Sequence, residues 1–202
     1  MRIAVIGTGK MGRGFARALA AKHDVVVGSR DPERAAATAA KTSAAAGASY
    51  AEAVASAQVV ILTVPWEAMD ETLGAIGEQL RPGTVVVDVS FPYRKAEREA
   101  LLKRSSTAET IQRRLPSARV LKGWNHVHAK YLTEPEVDGI AASVLIAGDD
   151  ADAKQTVFGI ARDMGFHPVD VGPLRATRDL ESLVSTMLFV RLGPFRVLSP
   201  SG

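Results

Sequence analysis

Three glycines near the start of the chain have the spacing of a phosphate-binding turn. Gly7, Gly9 and Gly12 follow a short apolar run, Ala4 to Ile6, and open an Ala-rich segment of helical propensity. In this context Gly-x-Gly-x-x-Gly predicts a tight turn, close backbone approach to a pyrophosphate, and close helix–strand packing. A helix that begins near Lys10 adds unpaired N–H groups and a positive dipole end. We predict a dinucleotide contacted by Gly7, Thr8, Gly9, Lys10, Met11 and Gly12.

The end of the second apolar run, Val25 to Val27, indicates which dinucleotide binds. Proteins that bind NAD place an Asp or Glu there, which accepts a hydrogen bond from the ribose 2′-hydroxyl. Here Ser29 supplies a hydroxyl and Arg30 a planar guanidinium suited to phosphate. Asp31 is interpreted as the N-cap of the next helix, which carries Arg34 in its first turn. The pattern predicts NADP(H), with its 2′-phosphate bound by Ser29, Arg30 and Arg34.

Composition limits the classes of function. The 25 basic and 22 acidic residues give a net charge of +3, which suits a phosphate-bearing small ligand and gives no reason to expect nucleic acid. The absence of cysteine excludes disulfides, Cys-ligated zinc and a thiol nucleophile. The apolar runs are far shorter than the ~20 residues that span a membrane. We expect a cytoplasmic protein with no signal peptide and no metal site.

Short runs rich in Val, Ile and Leu alternate with helical segments along the chain. Predicted strands lie at Ala4–Ile6, Val25–Val27, Val59–Val64, Thr84–Val89, Arg119–Lys122, Ser143–Ala147 and His167–Val169. Predicted helices lie at Glu67–Leu80, Ala108–Arg114, Asp150–Met164 and Arg178–Phe189, with a further Ala-rich helical segment at Ala35–Ala48. Strands without alternation are typical of parallel sheets buried on both faces. We predict an α/β, Rossmann-like, doubly wound and mainly parallel sheet.

We expect a single NADP-binding domain over residues 1–202. Its core would be residues 1–125, and a short C-terminal α/β extension, residues 126–202, would shape the acceptor cleft. Ligands of such sheets lie beyond the carboxyl ends of the strands. One cleft is therefore expected to gather the segments Gly7–Gly12, Ser29–Arg30, Thr63–Trp66, Val89–Phe91 and Gly123–Asn125. Further cofactor contacts are predicted at Thr63, Val64, Pro65, Asn125 and Ala129.

No acid–base set stands out in the sequence, which is consistent with direct hydride transfer between two stacked rings. Asn125 is expected either to hold the nicotinamide carboxamide or to serve a turn. His126 has two open roles, a hydrogen bond to the reacting rings or plain packing. A metal pair of His126 and His128 lacks a third ligand. Lys122, Lys130 and Arg175 are candidates for an acidic acceptor tail, unless they are simply solvated.

Several segments resemble the NADP oxidoreductases that depend on the deazaflavin coenzyme F-420. They are Gly7-Thr-Gly-x-Met-Gly, Val27-Gly-Ser-Arg30, Leu62-Thr-Val-Pro-Trp-Glu67, Ala147-Gly-Asp-Asp150, Val171-Gly-Pro-Leu174 and Leu180-Glu-Ser-Leu183. The resemblance implies reversible hydride transfer between nicotinamide carbon 4 and deazaflavin carbon 5. The segment Val120–Ala129 is also similar to the cytoplasmic reductase domain of six-transmembrane metalloreductases, which pass electrons from NADPH to a flavin. The acceptor therefore stays open between F-420 and a flavin or ferric chelate.

Two other classes of function stay open. An imine or β-hydroxy acid reductase would share the N-terminal turn but would need a long helical C-terminal domain. A non-catalytic NADP-sensing module would need no acceptor at all. The resemblance further implies a homodimer through the predicted terminal helix, whose apolar stripe comprises Leu180, Leu183, Val184, Met187 and Leu188. The alternative for this stripe is packing onto its own sheet.

Overall fold

The protein is an eight-stranded α/β sheet with helices on both faces, accompanied by one two-stranded hairpin. A computed structural model describes residues 1–137 and 139–190. The strands are β1 (Arg2–Ile6), β2 (Asp24–Ser29), β3 (Ala46–Ser49), β4 (Val59–Leu62), β5 (Val85–Asp88), β6 (Arg119–Lys122), β7 (Glu136–Val137), β8 (Ile140–Ala141), β9 (Ser143–Gly148) and β10 (His167–Asp170). The helices are α1 (Lys10–Leu19), α2 (Pro32–Thr42), α3 (Tyr50–Ala55), α4 (Met69–Ile76), α5 (Lys95–Leu102), α6 (Thr107–Arg114), α7 (Ala151–Asp163) and α8 (Thr177–Val190).

The strand order of the large sheet is β10-β9-β6-β5-β4-β1-β2-β3. From β1 the chain first builds outward through β2 and β3, then returns to place β4 on the other side of β1. The order therefore reverses between β1 and β4, and their carboxyl ends form the switch point at which such sheets bind ligands. This arrangement confirms the predicted Rossmann-like architecture.

Two apolar clusters cover the faces of the sheet. One packs α1 and α7 through Phe15 and Ile160, and the other packs α4 and α6 through Leu73 and Ile111. Because β1 and β4 are buried on both faces, their sequences are continuous apolar runs rather than alternating ones. The central strands thus give the loops at their carboxyl ends a rigid base.

The structure corrects two expectations about secondary structure. The helix expected over Ala35–Ala48 ends at Thr42, and Ala46–Ser49 forms the edge strand β3. Strand β9 runs antiparallel to β6, with Lys122 opposite Ala147, which is consistent with the predicted mainly parallel sheet. The helix expected over Glu67–Leu80 is a shorter α4 flanked by two 3₁₀ turns. No helix within residues 1–137 and 139–190 is long and apolar enough to cross a membrane.

The apolar stripe of α8 packs largely within its own chain. Leu180, Val184 and Met187 are each 5% exposed, and Leu180 packs with Leu145 and Ala147 of β9. The side chain of Leu188 and residues 191–202 of the predicted extension lie outside the described part of the chain. Intramolecular packing therefore accounts for the buried part of this stripe.

Candidate functional site

A cavity of about 440 Å³ opens at the switch point. Its walls come from the turn after β1, the end of β2 and the turn after β4. The lining residues are Gly7, Thr8, Gly9, Lys10, Met11, Ser29, Arg30, Asp31, Arg34, Tyr50, Thr63, Val64, Pro65 and Ala68. Most of the residues predicted to bind the cofactor are thus brought together in one place.

The three glycines of the turn have three different environments. Gly7 has φ of +121°, and a Cβ there would lie 2.6 Å from Thr63 Oγ1. A Cβ at Gly12 would lie 2.0 Å from the carbonyl oxygen of Gly7, so this glycine allows α1 to pack against the turn. A Cβ at Gly9 would meet no atom within 4 Å. Gly9 is therefore not required by internal packing, and it leaves room for another molecule to approach the backbone.

The first turn of α1 offers hydrogen-bond donors to that space. Gly9 is the N-cap of the helix and supplies no side-chain cap, and no acidic residue lies in the first turn. The first N–H groups of a helix have no partner within the helix, and they carry the positive end of its dipole. Arg13 donates from Nη1 to the carbonyl oxygen of Thr8 at 2.9 Å, which braces the turn. The site is thus built to receive an anion.

The end of β2 adds cationic and hydroxyl groups to the cavity. Ser29 Oγ accepts a hydrogen bond from the backbone N–H of Asp31, so its own hydroxyl proton is available. The carboxylate of Asp31 accepts from the backbone N–H of Arg34 at 3.1 Å, which confirms Asp31 as the N-cap of α2. Arg34 makes no ion pair among the described residues, whereas Arg30 contacts Glu71 of α4 at 3.0 Å.

The ion pair between Arg30 and Glu71 is weak enough for a ligand to replace Glu71 as the partner of Arg30. Both side chains are 64% exposed, and ion pairs with such exposure contribute little free energy. Only Nη1 of Arg30 contacts the Glu71 carboxylate, whereas a phosphate carries more charge and can accept from two guanidinium nitrogens at once. Glu71 was not among the predicted site residues, because it lies in the middle of a helical segment whose orientation depends on the fold.

The opposite wall comes from the turn after β4. Thr63 donates from Oγ1 to the carbonyl oxygen of Ile6 at 2.8 Å, which ties this turn to the glycine turn. Val64 and Pro65 continue the wall, as predicted. Tyr50 and Ala68 also line the cavity but were missed. Tyr50 follows β3, and without that strand its position at the carboxyl edge could not be assigned.

Asn125, His126 and Ala129 do not line this cavity. Asn125 has a buried amide nitrogen, Nδ2, that lacks a hydrogen-bond partner among the described residues, and its Oδ1 lies 3.3 Å from Nδ1 of His126. His126 is largely buried, with Nε2 lying 3.4 Å from both the carbonyl oxygen of Ser143 and the backbone nitrogen of Leu145. Burial lowers the pKa of His126 from 6.5 to about 4. The imidazole is therefore neutral near pH 7.

Trp124 and Lys122, which sequence reasoning placed near the acceptor, are core residues instead. Trp124 is fully buried, and its ring meets Phe15 and Phe166 edge to face. Lys122 is also fully buried, so it is not a solvated base at a rim. The expectation that Lys122 receives an acidic tail is wrong, because its ammonium is held inside the protein.

Lys122 belongs to a buried polar cluster that joins β5, β6, α6 and α8. Its Nζ lies 2.7 Å from Asp88 Oδ2 and 3.0 Å from Glu181 Oε1, and it donates to the carbonyl oxygen of Ser90. Thr107 Oγ1 lies 2.6 Å from both Asp88 Oδ2 and Glu181 Oε1. Burial opposes the charge of Lys122, but the two carboxylates raise its pKa above the ordinary value. This cluster is closed to solvent and holds α8 to the sheet, and it leaves Glu181 Oε2 without a hydrogen-bond partner among the described residues.

Comparison with protein families gives a match over residues 2–92 to the model described as "NADP oxidoreductase coenzyme F420-dependent". An "F420-dependent NADP reductase" of Methanothermobacter thermautotrophicus is 34% identical over 206 residues, covering 93% of this chain and 88% of the relative. The rat protein "Metalloreductase STEAP3" is 35% identical over 188 residues, covering 93% of this chain. The chain spans only 37% of the length of that rat protein.

A crystal structure from Arthrobacter sp. FB24, provisionally named an F420-dependent NADP-reductase, has a similar fold. It superposes with a TM-score of 0.83 and is 26% identical in sequence. The match covers 98% of this chain and 99% of the other. The similarity therefore extends through the C-terminal part of the chain, beyond residues 2–92.

Proposed function

Since the chain belongs to the family of coenzyme F-420-dependent NADP oxidoreductases and is an NADP-dependent oxidoreductase, we propose that it transfers a hydride between NADP(H) and the deazaflavin F-420. The observation that carries this proposal is the cavity at the switch point. It combines an open glycine turn with the hydroxyl of Ser29 and the guanidinium groups of Arg30 and Arg34, and the carboxylate of Asp31 in its described lining is engaged as an N-cap.

The dinucleotide would be held by the groups around this cavity. The N–H groups at the start of α1 face the position of a pyrophosphate, and Gly9 leaves space for it. Ser29, Arg30 and Arg34 would bind the 2′-phosphate, with Arg30 exchanging Glu71 for the phosphate. NADP carries a phosphate in place of the ribose 2′-hydroxyl of NAD, so this arrangement needs no carboxylate to accept a hydrogen bond from that hydroxyl.

Bound nicotinamide and deazaflavin rings would supply the redox chemistry themselves, as hydride donor and acceptor. The protein would align the rings and exclude water. The Nδ2 of Asn125 has no hydrogen-bond partner among the described residues, but it is buried and does not line the cavity, so donating to the carboxamide oxygen would require this side chain to reorient. His126 is neutral near pH 7 and would act by orienting Asn125, not by moving a proton.

A flavin or ferric chelate is the second candidate acceptor. The 35% identity to a rat metalloreductase over 93% of this chain favours it. NADPH oxidation, followed by absorbance, with F-420, FMN, FAD and a ferric chelate as separate acceptors distinguishes the candidates. We expect the highest kcat/KM with F-420, and turnover confined to FMN, FAD or ferric ion would replace the deazaflavin assignment. No turnover with any acceptor would favour the sensing module.

Three further expectations belong to this proposal. The chain is proposed to work as a homodimer, as a single domain, and in the cytoplasm. Because Leu180, Val184 and Met187 are already buried within the chain, the dimer needs other surface as well. Light scattering at micromolar concentration tests this state, and a monomer mass would contradict it.

A further inference from the structure

A second cavity, of about 380 Å³, lies beside the first and is lined by basic side chains. It runs along the exposed side of α1 and is closed by the 3₁₀ turn Ala129–Leu132. The lining residues are Lys10, Arg13, Gly14, Arg17, His128, Ala129, Lys130 and Thr133. We call this the basic groove. Its described lining carries four positive charges and no acidic side chain.

The charges of the basic groove have no carboxylate partner among the described residues, and Lys130 Nζ lies 4.5 Å from the centroid of the Tyr131 ring. None of Lys10, Arg13, Arg17 and Lys130 makes an ion pair with a described carboxylate, although such pairs occur at many other places on the surface. Arg13 and Arg17 donate only to backbone carbonyl oxygens, those of Thr8 and Lys41. Like charges that converge without a counter-charge repel one another, and a bound anion would relieve that repulsion.

The groove is a built concavity and not simply the solvated side of a helix. Its bases come from two elements, with Lys10, Arg13 and Arg17 on α1 and Lys130 on the facing turn. Gly14 lets these elements approach, because a Cβ at this position would lie 2.7 Å from Leu132 Cδ1. The spacing i, i+3, i+7 aligns the three bases of α1 on one side of the helix.

Lys10 connects the groove to the cofactor cavity, since it lines both. We propose that the basic groove binds a phosphate- or carboxylate-rich polyanion next to the dinucleotide. The first source of such an anion is the acidic tail of the deazaflavin substrate, and this identification rests on the proposed function. A separate small polyanion is the other source of the same chemistry.

The test uses the full chain with NADP⁺ saturating the first cavity. The single variants Arg17→Gln and Lys130→Gln each remove one charge from the groove, and Arg81→Gln is the control. Arg81 is an exposed base in the turn before β5, at the amino edge of the sheet, and makes no ion pair among the described residues. Titration calorimetry with inorganic pyrophosphate measures the groove directly. Steady-state KM is then measured for F-420 and for a deazaflavin that lacks the acidic tail.

We expect each groove variant to weaken pyrophosphate binding and to raise the KM for F-420 by about three- to tenfold, as for one lost charge contact. The KM for the tail-free deazaflavin and all constants of Arg81→Gln should not change. Weaker pyrophosphate binding with an unchanged KM for F-420 also supports the groove and identifies a separate anion. Unchanged pyrophosphate binding in both groove variants would overturn the proposal.

The test of the basic groove and the test of the proposed reaction can fail separately. If the wild type does not turn over F-420 but loses pyrophosphate affinity in the groove variants, the acceptor assignment fails and the groove stands. If the wild type turns over F-420 and neither variant changes either measurement, the groove fails and the reaction stands.

Discussion

Two charged regions lie at the carboxyl edge of one sheet and are organised in opposite ways. At the ends of β1, β2 and β4, the cations Lys10, Arg30 and Arg34 are exposed and unpaired or only weakly paired. At the ends of β5 and β6, Lys122 and two carboxylates are fully buried and hydrogen-bonded to one another. The cations of the first region remain available to a ligand, whereas the charges of the second region pair with one another and hold α8 to the sheet.

The difference shows why charge alone does not identify a binding site. A buried ion pair compensates its own desolvation, so removing one partner is costly while the intact pair adds little net stability. An exposed cation without a partner adds no stability and remains free for a ligand. We therefore expect variants in the closed cluster to change folding and variants in the open cavity to change binding.

The largest effect is expected in the closed cluster. Lys122→Met should lower the free energy of unfolding by about 3–5 kcal/mol, because it leaves the carboxylates of Asp88 and Glu181 buried without a cation. Urea unfolding followed by circular dichroism measures this. Lys95→Met, which removes a lysine from an exposed pair, is the control and should cost less than about 0.5 kcal/mol. Equal losses would show that the cluster is no more important than a surface pair.

Two glycine variants separate binding from folding within one turn. Gly9→Val should abolish binding of both NADPH and NADH in a chain that still folds, because a Cβ there meets no protein atom within 4 Å and a poor N-cap residue costs only about 1 kcal/mol. Gly12→Val should prevent correct folding, because its Cβ would lie 2.0 Å from the carbonyl oxygen of Gly7. Calorimetry and thermal unfolding measure the two effects. Retained NADPH binding by Gly9→Val would contradict the assigned pyrophosphate position.

Arg30→Ala should weaken the binding of NADPH by about ten- to a hundredfold, or about 1.5–3 kcal/mol. The binding of NADH should stay nearly unchanged. The reason is the loss of a charge-assisted contact to the 2′-phosphate, which NADH lacks. Dissociation constants for both cofactors check this. Arg113→Ala, at a base that contacts Ser105 and Thr110 outside the cavity, is a matched control. Equal loss for both cofactors would reject the phosphate-reading role.

His126 predicts a pH dependence of folding. Its pKa is about 4 in the folded chain against 6.5 for the free side chain, so the unfolded chain binds more protons between these values. The stability contributed above pH 6.5 is therefore lost as the pH falls toward 4, by about 2–3 kcal/mol for a shift of this size. Urea unfolding across this range, compared with that of His126→Gln, measures how much of the pH dependence of the free energy of unfolding is due to His126. If the variant shows an equally steep pH dependence, other groups cause it.

The smallest effect is expected at Glu71. Glu71→Gln frees Arg30 from an exposed ion pair and removes a charge that repels phosphate, so NADPH should bind up to about threefold more tightly. Binding of NADH should stay the same. Weaker NADPH binding in this variant would mean that Glu71 positions Arg30 and does not compete for it.

The open cavity was predictable from sequence and the closed cluster was not. The glycine turn is a local pattern, Ser29 ends strand β2 and Arg30 follows it, so their place at the carboxyl edge depends only on the order of elements. Lys122 also lies at the end of a strand, β6, but its burial depends on Asp88 and Glu181, which lie far away in the chain. Nothing in the local sequence shows that these charges meet.

Strand β3 and the direction of β9 also depend on distant parts of the chain. Strand β3 is Ala-Gly-Ala-Ser, which has helical or turn composition and no β-branched residue. It is a strand because it pairs with β2 and packs closely on α2, where a Cβ on Gly47 would lie 2.2 Å from backbone of Ala35. The direction of β9 depends on its partner, and a continuous apolar run does not specify direction.

The central claim is direct hydride transfer from NADPH to the deazaflavin ring, and isotope transfer tests it most directly. The enzyme is incubated with F-420 and NADPH deuterated at the transferring position of nicotinamide carbon 4. Mass spectrometry then measures deuterium in the reduced F-420. We expect the label at deazaflavin carbon 5 in a single transfer. Label lost to water, or reduction only of FMN or FAD, would contradict the account.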